Sequence, residues 1–95
     1  MTAGDGILVQ VPGPLRSGCG GAPRLTVHAR DIRSALVYLE QHFPEVHRGV
    51  CDETGAVRRH INLFVNNTNT RDAEGLDTAL APGDVVTILP AVSGG

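Results

Sequence analysis

Apolar and polar positions along the 95-residue chain alternate in short blocks punctuated by glycine, proline and asparagine. Ile7-Leu8-Val9-Gln10-Val11-Pro12 is a β-branched run closed by Pro12 and Pro14, which predicts a first strand. Leu15 to Pro23, with Gly18, Gly20 and Gly21 following Gly13, predicts an open hairpin connection. Arg24-Leu25-Thr26-Val27-His28 alternates strictly, so a second strand with Leu25 and Val27 facing inward pairs antiparallel with the first. Asp31 then offers an N-cap, and Ile32, Ala35, Leu36, Leu39 and Phe43 recur at helical spacing, giving a helix with one buried face that Pro44 stops. Glu45 to Arg59 is polar, interrupted by Gly49 and Gly55, and predicts irregular chain.

The second half reads more sharply. Ile61-Asn62-Leu63-Phe64-Val65-Asn66 alternates, with Ile61, Leu63 and Val65 on one face and Asn62, Phe64 and Asn66 on the other. Two asparagines mark the second face as wet, which predicts a solvent-facing Phe64; the competing placement packs its ring beneath Arg58-Arg59 or a loop. Asn66-Asn67-Thr68-Asn69 is turn chemistry. Thr70 to Glu74 suggests a short strand and Leu76 to Leu80 a single helical turn. Ala81-Pro82-Gly83-Asp84 is a further turn. In the closing strand, Val85 to Pro90, Val86, Ile88 and Pro90 should face the core while Thr87 and Leu89 face out.

Strand, strand, helix, strand, short helix, strand within one small domain specifies an α+β arrangement, a mixed sheet of four to five strands packed on one main helix. A hairpin plus a crossover places the first and last strands side by side at the centre, which is the β-grasp order. Residues 1–90 form the domain on this reading, and residues 91–95 form a flexible tail.

Composition narrows the function. With 41% hydrophobic and 19% charged residues the chain is globular, and a formal net charge of −2 gives no case for nucleic acid or an anionic membrane. No apolar run approaches the roughly 20 residues that span a bilayer, and residues 1–15 lack the charged start and apolar stretch of a secretory signal, so a cytoplasmic location is expected. All eight basic residues are arginine, a choice that nucleotide bias explains as well as function does; without lysine the Met1 amine is the sole primary amine. Cys19 and Cys51 have neither disulfide-framework nor metal-site spacing and read as free thiols. His28, His42, His47 and His60 are scattered without paired ligand spacing, so no metal site is expected. Gly18-x-Gly20-Gly21 lacks the Gly-Lys-Ser/Thr ending of a phosphate loop, and Asp72 and Glu74 read as a solvated face.

The sequence finishes on Ala91-Val92-Ser93-Gly94-Gly95 directly after an apolar strand. Glycines lack a Cβ and can thread a narrow channel, and five extended residues reach roughly 17 Å. The plain alternative is a frayed, glycine-rich end. Taken together, Ile61-Asn62-Leu63-Phe64-Val65-Asn66-Asn67, Pro82-Gly83-Asp84-Val85-Val86-Thr87-Ile88-Leu89-Pro90 and the Gly94-Gly95 ending resemble the MoaD/ThiS family of ubiquitin-like sulfur carriers, with a likeness to its CysO-type members.

That resemblance implies a protein cosubstrate rather than an enzyme, with no cofactor of its own. The Gly95 carboxylate would be adenylated by a partner resembling ubiquitin-activating adenylyltransferases, with ATP spent there. A sulfur donor would then convert it to a thiocarboxylate for an acceptor synthase making cysteine, thiamine or another sulfur-containing metabolite. Gly94 would supply clearance, Val92 and Ser93 would line the channel entrance, and Phe64 and Leu89 would form an apolar docking patch. The small subunit of molybdopterin synthase and a ubiquitin-like protein modifier are the alternatives, and a plain β-grasp interaction domain with an idle tail is the third class.

Overall fold

The computed structural model describes residues 6–91. Five strands, β1 (Gly6–Gln10), β2 (Arg24–His28), β3 (Ile61–Val65), β4 (Thr68–Asn69) and β5 (Val85–Pro90), form one sheet in the order β2-β1-β5-β3-β4. β1 and β5 run parallel at its centre, and the other neighbours are antiparallel, as the β-grasp order requires. Alternation decides which side is dry. Ile7, Val9, Leu25, Val27, Ile61, Leu63, Val86 and Ile88 are buried beneath α1 (Ile32–His42), which contributes Ile32, Ala35, Leu36 and Leu39.

The start of α1 is specified locally. Asp31 Oδ1 accepts from the Ser34 N–H at 2.8 Å, and Ser34 Oγ accepts in return from the Asp31 N–H at 3.3 Å, a reciprocal capping box. Phe43 (φ −140°, ψ 65°) leaves the helical region and ends the helix.

Four expectations need correction. The chain after Pro44 is not irregular: Pro44–Val50 is a second helix, α2, with Pro44 in its first turn, where a missing N–H costs nothing, and with Val46 and Val50 fully buried one turn apart. Residues Gly13–Cys19 form a 3₁₀ segment rather than an open loop. It packs so closely on α2 that a Cβ on Gly18 would lie 2.9 Å from Glu45 Cβ and from the Val46 nitrogen. Pairing of the short edge strand stops at Asn69, and Thr70–Asp72 turns into a 3₁₀ helix whose Thr70 is buried. β1 ends at Gln10, two residues before Pro12, although the Val11 N–H still reaches the Pro23 carbonyl.

At the far end of the sheet, the turn before β5 fixes its register. Gly83 adopts φ +92°, the Asp84 N–H bonds to the Ala81 carbonyl, and Asp84 Oδ2 accepts from the Ala81 N–H at 2.9 Å. Asn66, at φ +56°, donates from Nδ2 to Asp84 Oδ1 at 3.1 Å and accepts at Oδ1 from the Val85 N–H at 3.1 Å. These bonds hold the Asp84 carboxyl below its ordinary value, the Ala81 backbone bond first and the Asn66 amide second. The asparagine and aspartate of the resemblance motif thus serve the backbone.

Candidate functional site

The sheet has one face covered by α1 and one on which, among the described residues, no helix lies, and the outward residues of β1, β5 and β3 share the second. Register places Gln10 beside Thr87 and Thr87 beside Phe64 in one cross-strand row, with Leu8 beside Val85 in the next and Leu89 beside Asn62 on the other side. Phe64 and Leu89 are therefore diagonal neighbours on the same face, a spacing within reach of an aromatic ring. Thr87 Oγ1 lies 3.1 Å from Gln10 Oε1, tying β5 to β1 across the surface.

The two residues differ in exposure for a topological reason. β3 lies between β5 and β4, so Phe64 has Thr87 on one side and Asn69 on the other and is half-buried, not solvent-facing as alternation alone predicts. Leu89 lies beyond the last residue of β1 that pairs with β5 and keeps 45% of its surface accessible. Leu8 and Val85, also half-buried, extend the patch. Parity within a single strand does not reveal them, because only the parallel β1–β5 register sets them side by side.

Ala91 is the last described residue, and its N–H donates to the His60 carbonyl at 2.6 Å, one step past the Ile61–Pro90 pair. The chain therefore leaves the sheet from its central strand, held to the segment that enters β3. That segment is held in turn by Arg71. Its guanidinium donates to Asn62 Oδ1 and to the Ile61 carbonyl, each at 2.9 Å, and to the Arg59 and Arg58 carbonyls at 3.3 and 3.4 Å. Sequence reading passed over Arg71, since no local pattern announces a side chain that binds carbonyls ten or more residues away. Val92, Ser93, Gly94 and Gly95 lie outside the described residues.

Beside this exit, Gln10, Arg16, Arg24, Thr87 and Leu89 line a groove of about 400 Å³. A second hollow of about 420 Å³ sits against α1 and α2, where Arg33, Arg48 and Arg58 mix with Glu40, Asp52 and Glu53 around the largely buried Cys51. Burial, and then the Asp52 carboxylate, push the Cys51 thiol up to about 11. Cys19 is half-buried, its Sγ 3.3 Å from the Ala22 carbonyl oxygen and 3.4 Å from that of Arg16. Among the described residues no three of His, Cys, Asp and Glu gather as metal ligands, and no helix is long and apolar enough to cross a membrane. Cys51, His47 and Asp52 share the second hollow, but among the described residues no side-chain hydrogen bond links them, and the raised Cys51 thiol stays protonated. What the arrangement offers is a mixed apolar and polar face next to the end of the central strand β5.

Comparison with known proteins follows the same lines. The model of the ThiS family matches residues 9–95. The sulfur carrier protein CysO of Mycobacterium tuberculosis is 34% identical over 91 residues, 94% of this chain and 98% of that protein. A crystal structure of M. tuberculosis CysO superposes with a TM-score of 0.83 at 33% identity, covering 90% of this chain and 99% of that one. A chain of the Amycolatopsis orientalis BexX/CysO complex gives 0.84 at 29% identity, covering 94% and 99%. The small archaeal modifier protein 1 of Methanosarcina acetivorans gives 0.83 at 28%, covering 97% and 98%.

Proposed function

We propose, on the footing that this chain belongs to the ThiS family, that it is a sulfur carrier whose working group is the Gly95 carboxylate. A carboxylate resists nucleophiles until it acquires a good leaving group. In the proposed cycle, a Gly95 oxygen attacks the α-phosphorus of ATP on a partner adenylyltransferase, pyrophosphate departs, and an acyl-adenylate forms. A sulfide-level donor then attacks the carbonyl carbon, the C–O bond to AMP breaks, and a thiocarboxylate remains. On an acceptor synthase the thiocarboxylate sulfur bonds to the acceptor substrate, and water then cleaves the acyl C–S bond, leaving the sulfur on the product and restoring the Gly95 carboxylate. The carrier's own residues bind and orient: Phe64 and Leu89 dock, Val92 and Ser93 line the partner's channel, and Gly94 passes its narrowest point. Catalysis belongs to the partners.

The observation that supports this reading most is the route of the chain: β5 occupies the middle of the sheet and exits at Ala91 beside an uncovered face holding Leu89 and Phe64. A partner seated on that face receives the tail without the body having to rearrange. The complex of CysO with BexX from Amycolatopsis orientalis supports an assembly of this kind.

The likeness to a small archaeal modifier protein supports a second reading, conjugation of the same activated terminus to protein amines. One experiment separates the two. Incubation with the activating enzyme, ATP and sulfide, followed by intact-mass measurement, should show one sulfur gained in place of one oxygen; a ladder of conjugates would favour the modifier instead. Deletion of Gly95 should abolish the gain while leaving the fold unchanged by circular dichroism. Sulfur loading that survives the deletion would overturn the proposal.

A further inference from the structure

The sheet end from which the chain exits carries a group of arginines. That end is built by residues 10–24, 58–62 and 87–91, which contain Arg16, Arg24, Arg58 and Arg59 but no aspartate or glutamate. The Arg71 guanidinium reaches the same place through the carbonyls it binds, and Asp72 in its 3₁₀ turn is the carboxylate next to it in sequence. Asp31, Asp77 and Asp84 sit at the opposite end, around the start of α1 and of β5, whereas Glu45, packed on Gly18, and Asp52 and Glu53, beside Arg58, lie on the helix side of the sheet.

These arginines are not spent on internal ion pairs. Among the described residues the ion pairs are Arg33–Asp77 at 3.0 Å and Arg48–Glu45 at 3.8 Å, neither of which uses Arg16, Arg24, Arg59 or Arg71. Arg16 donates through Nε to the Val11 carbonyl, which fixes its stem and leaves its charge uncompensated by any described carboxylate. Arg24 and Arg59 are exposed. Because β5 lies between β1 and β3, Arg16 and Arg24 stand on one side of Ala91 and Arg59 and Arg71 on the other; Arg58 turns instead to the Arg48 carbonyl and the Asp52 carboxylate in the hollow at α2.

We infer that this arginine collar is a docking surface for a protein whose tail-receiving entrance is rimmed with aspartate and glutamate. The inference deepens the proposed carrier role and rests on it. Opposed charge of this kind steers encounter and fixes orientation more than it adds affinity, and here it would aim the emerging chain at the channel. The same charge would attract RNA. Recognition of single strands relies on stacking aromatics, however, and the uncovered sheet face offers only the half-buried Phe64, so an acidic polypeptide is the better fit.

The test uses the full chain in two arms. In the first, nuclear magnetic resonance follows backbone amides during titration with hexaglutamate or, separately, hexauridylate. Hexaglutamate should move amides around Arg16, Arg24, Arg59 and Ala91. The shifts should be lost in Arg24→Glu/Arg59→Glu, a variant that removes no hydrogen bond made by either side chain in the structure, and at about 500 mM salt, where the screening length is near 4 Å. Dispersed or absent shifts, or tighter binding of hexauridylate, would overturn the inference. In the second arm, carrier-dependent ATP–pyrophosphate exchange by the adenylyltransferase should show KM raised about tenfold or more in that variant, with kcat unchanged. An unchanged KM would count against the collar. Absence of exchange with the unaltered chain would instead refute the carrier reading, and the peptide arm would still decide the inference.

Discussion

Leu89→Ala is the perturbation whose size the structure sets most directly. Leu89 keeps 45% of its surface accessible on the face proposed for docking. Complete burial of a leucine side chain is worth about 1.5–3 kcal/mol, so the share still to be gained when a partner covers it is about 0.7–1.4 kcal/mol. The dissociation constant for the adenylyltransferase should therefore rise about three- to tenfold. Because the side chain points away from α1 and lies across from Asn62, unfolding stability should change by less than about 1 kcal/mol. Isothermal calorimetry against the adenylyltransferase and urea unfolding of the free chain measure the two quantities separately. An unchanged affinity would remove Leu89 from the interface. A loss far above tenfold, or one matched by an equal loss of stability, would mean that the residue holds β5 in register, and the docking argument would fail.

Further outcomes follow from the caps and the thiols. Asp31→Ala should cost about 1 kcal/mol in urea unfolding by removing the reciprocal cap of α1; an unchanged midpoint would refute the cap. Asp31, Asp52 and Asp84 are all held below their ordinary value of 3.8, chiefly by hydrogen bonds from Ser34, Thr54 and Ala81 respectively. The unfolded chain takes up these protons first, so the stability they contribute is complete above that pH and falls away as pH drops through 3.8 toward their folded values, which acid titration at fixed urea should reveal. Iodoacetamide at about pH 8 should label the half-buried Cys19 and spare Cys51, whose thiol sits near 11. Two adducts on the native chain, by mass spectrometry, would contradict that.

Much of this architecture is written in local pattern. β2 matches its alternating residues end to end, the stripe from Ile32 to Leu39 and the Asp31 cap define α1, and the parity of β5 names Val86 and Ile88 as core. The sequence was silent where structure depends on distant partners. Val46 and Val50 are a helical signal only one turn long, too short to stand out between polar residues, and α2 persists because the Gly13–Cys19 segment packs on it. Phe64 loses exposure to strands on both sides, which a single-strand reading does not count. Likewise the arginines of the exit come from four separate stretches of chain that only the strand order assembles.

The placement of β5 also governs when this molecule can come into being. Without it, the sheet separates into two disconnected hairpins, β1 with β2 and β3 with β4, neither of which would persist alone in water. On a ribosome, the nascent chain cannot complete its sheet until residues 85–90 have emerged, and Leu8 must then find Val85 across most of the polypeptide. Folding is thereby one late cooperative event, and a half-made copy has no assembled face to offer an enzyme.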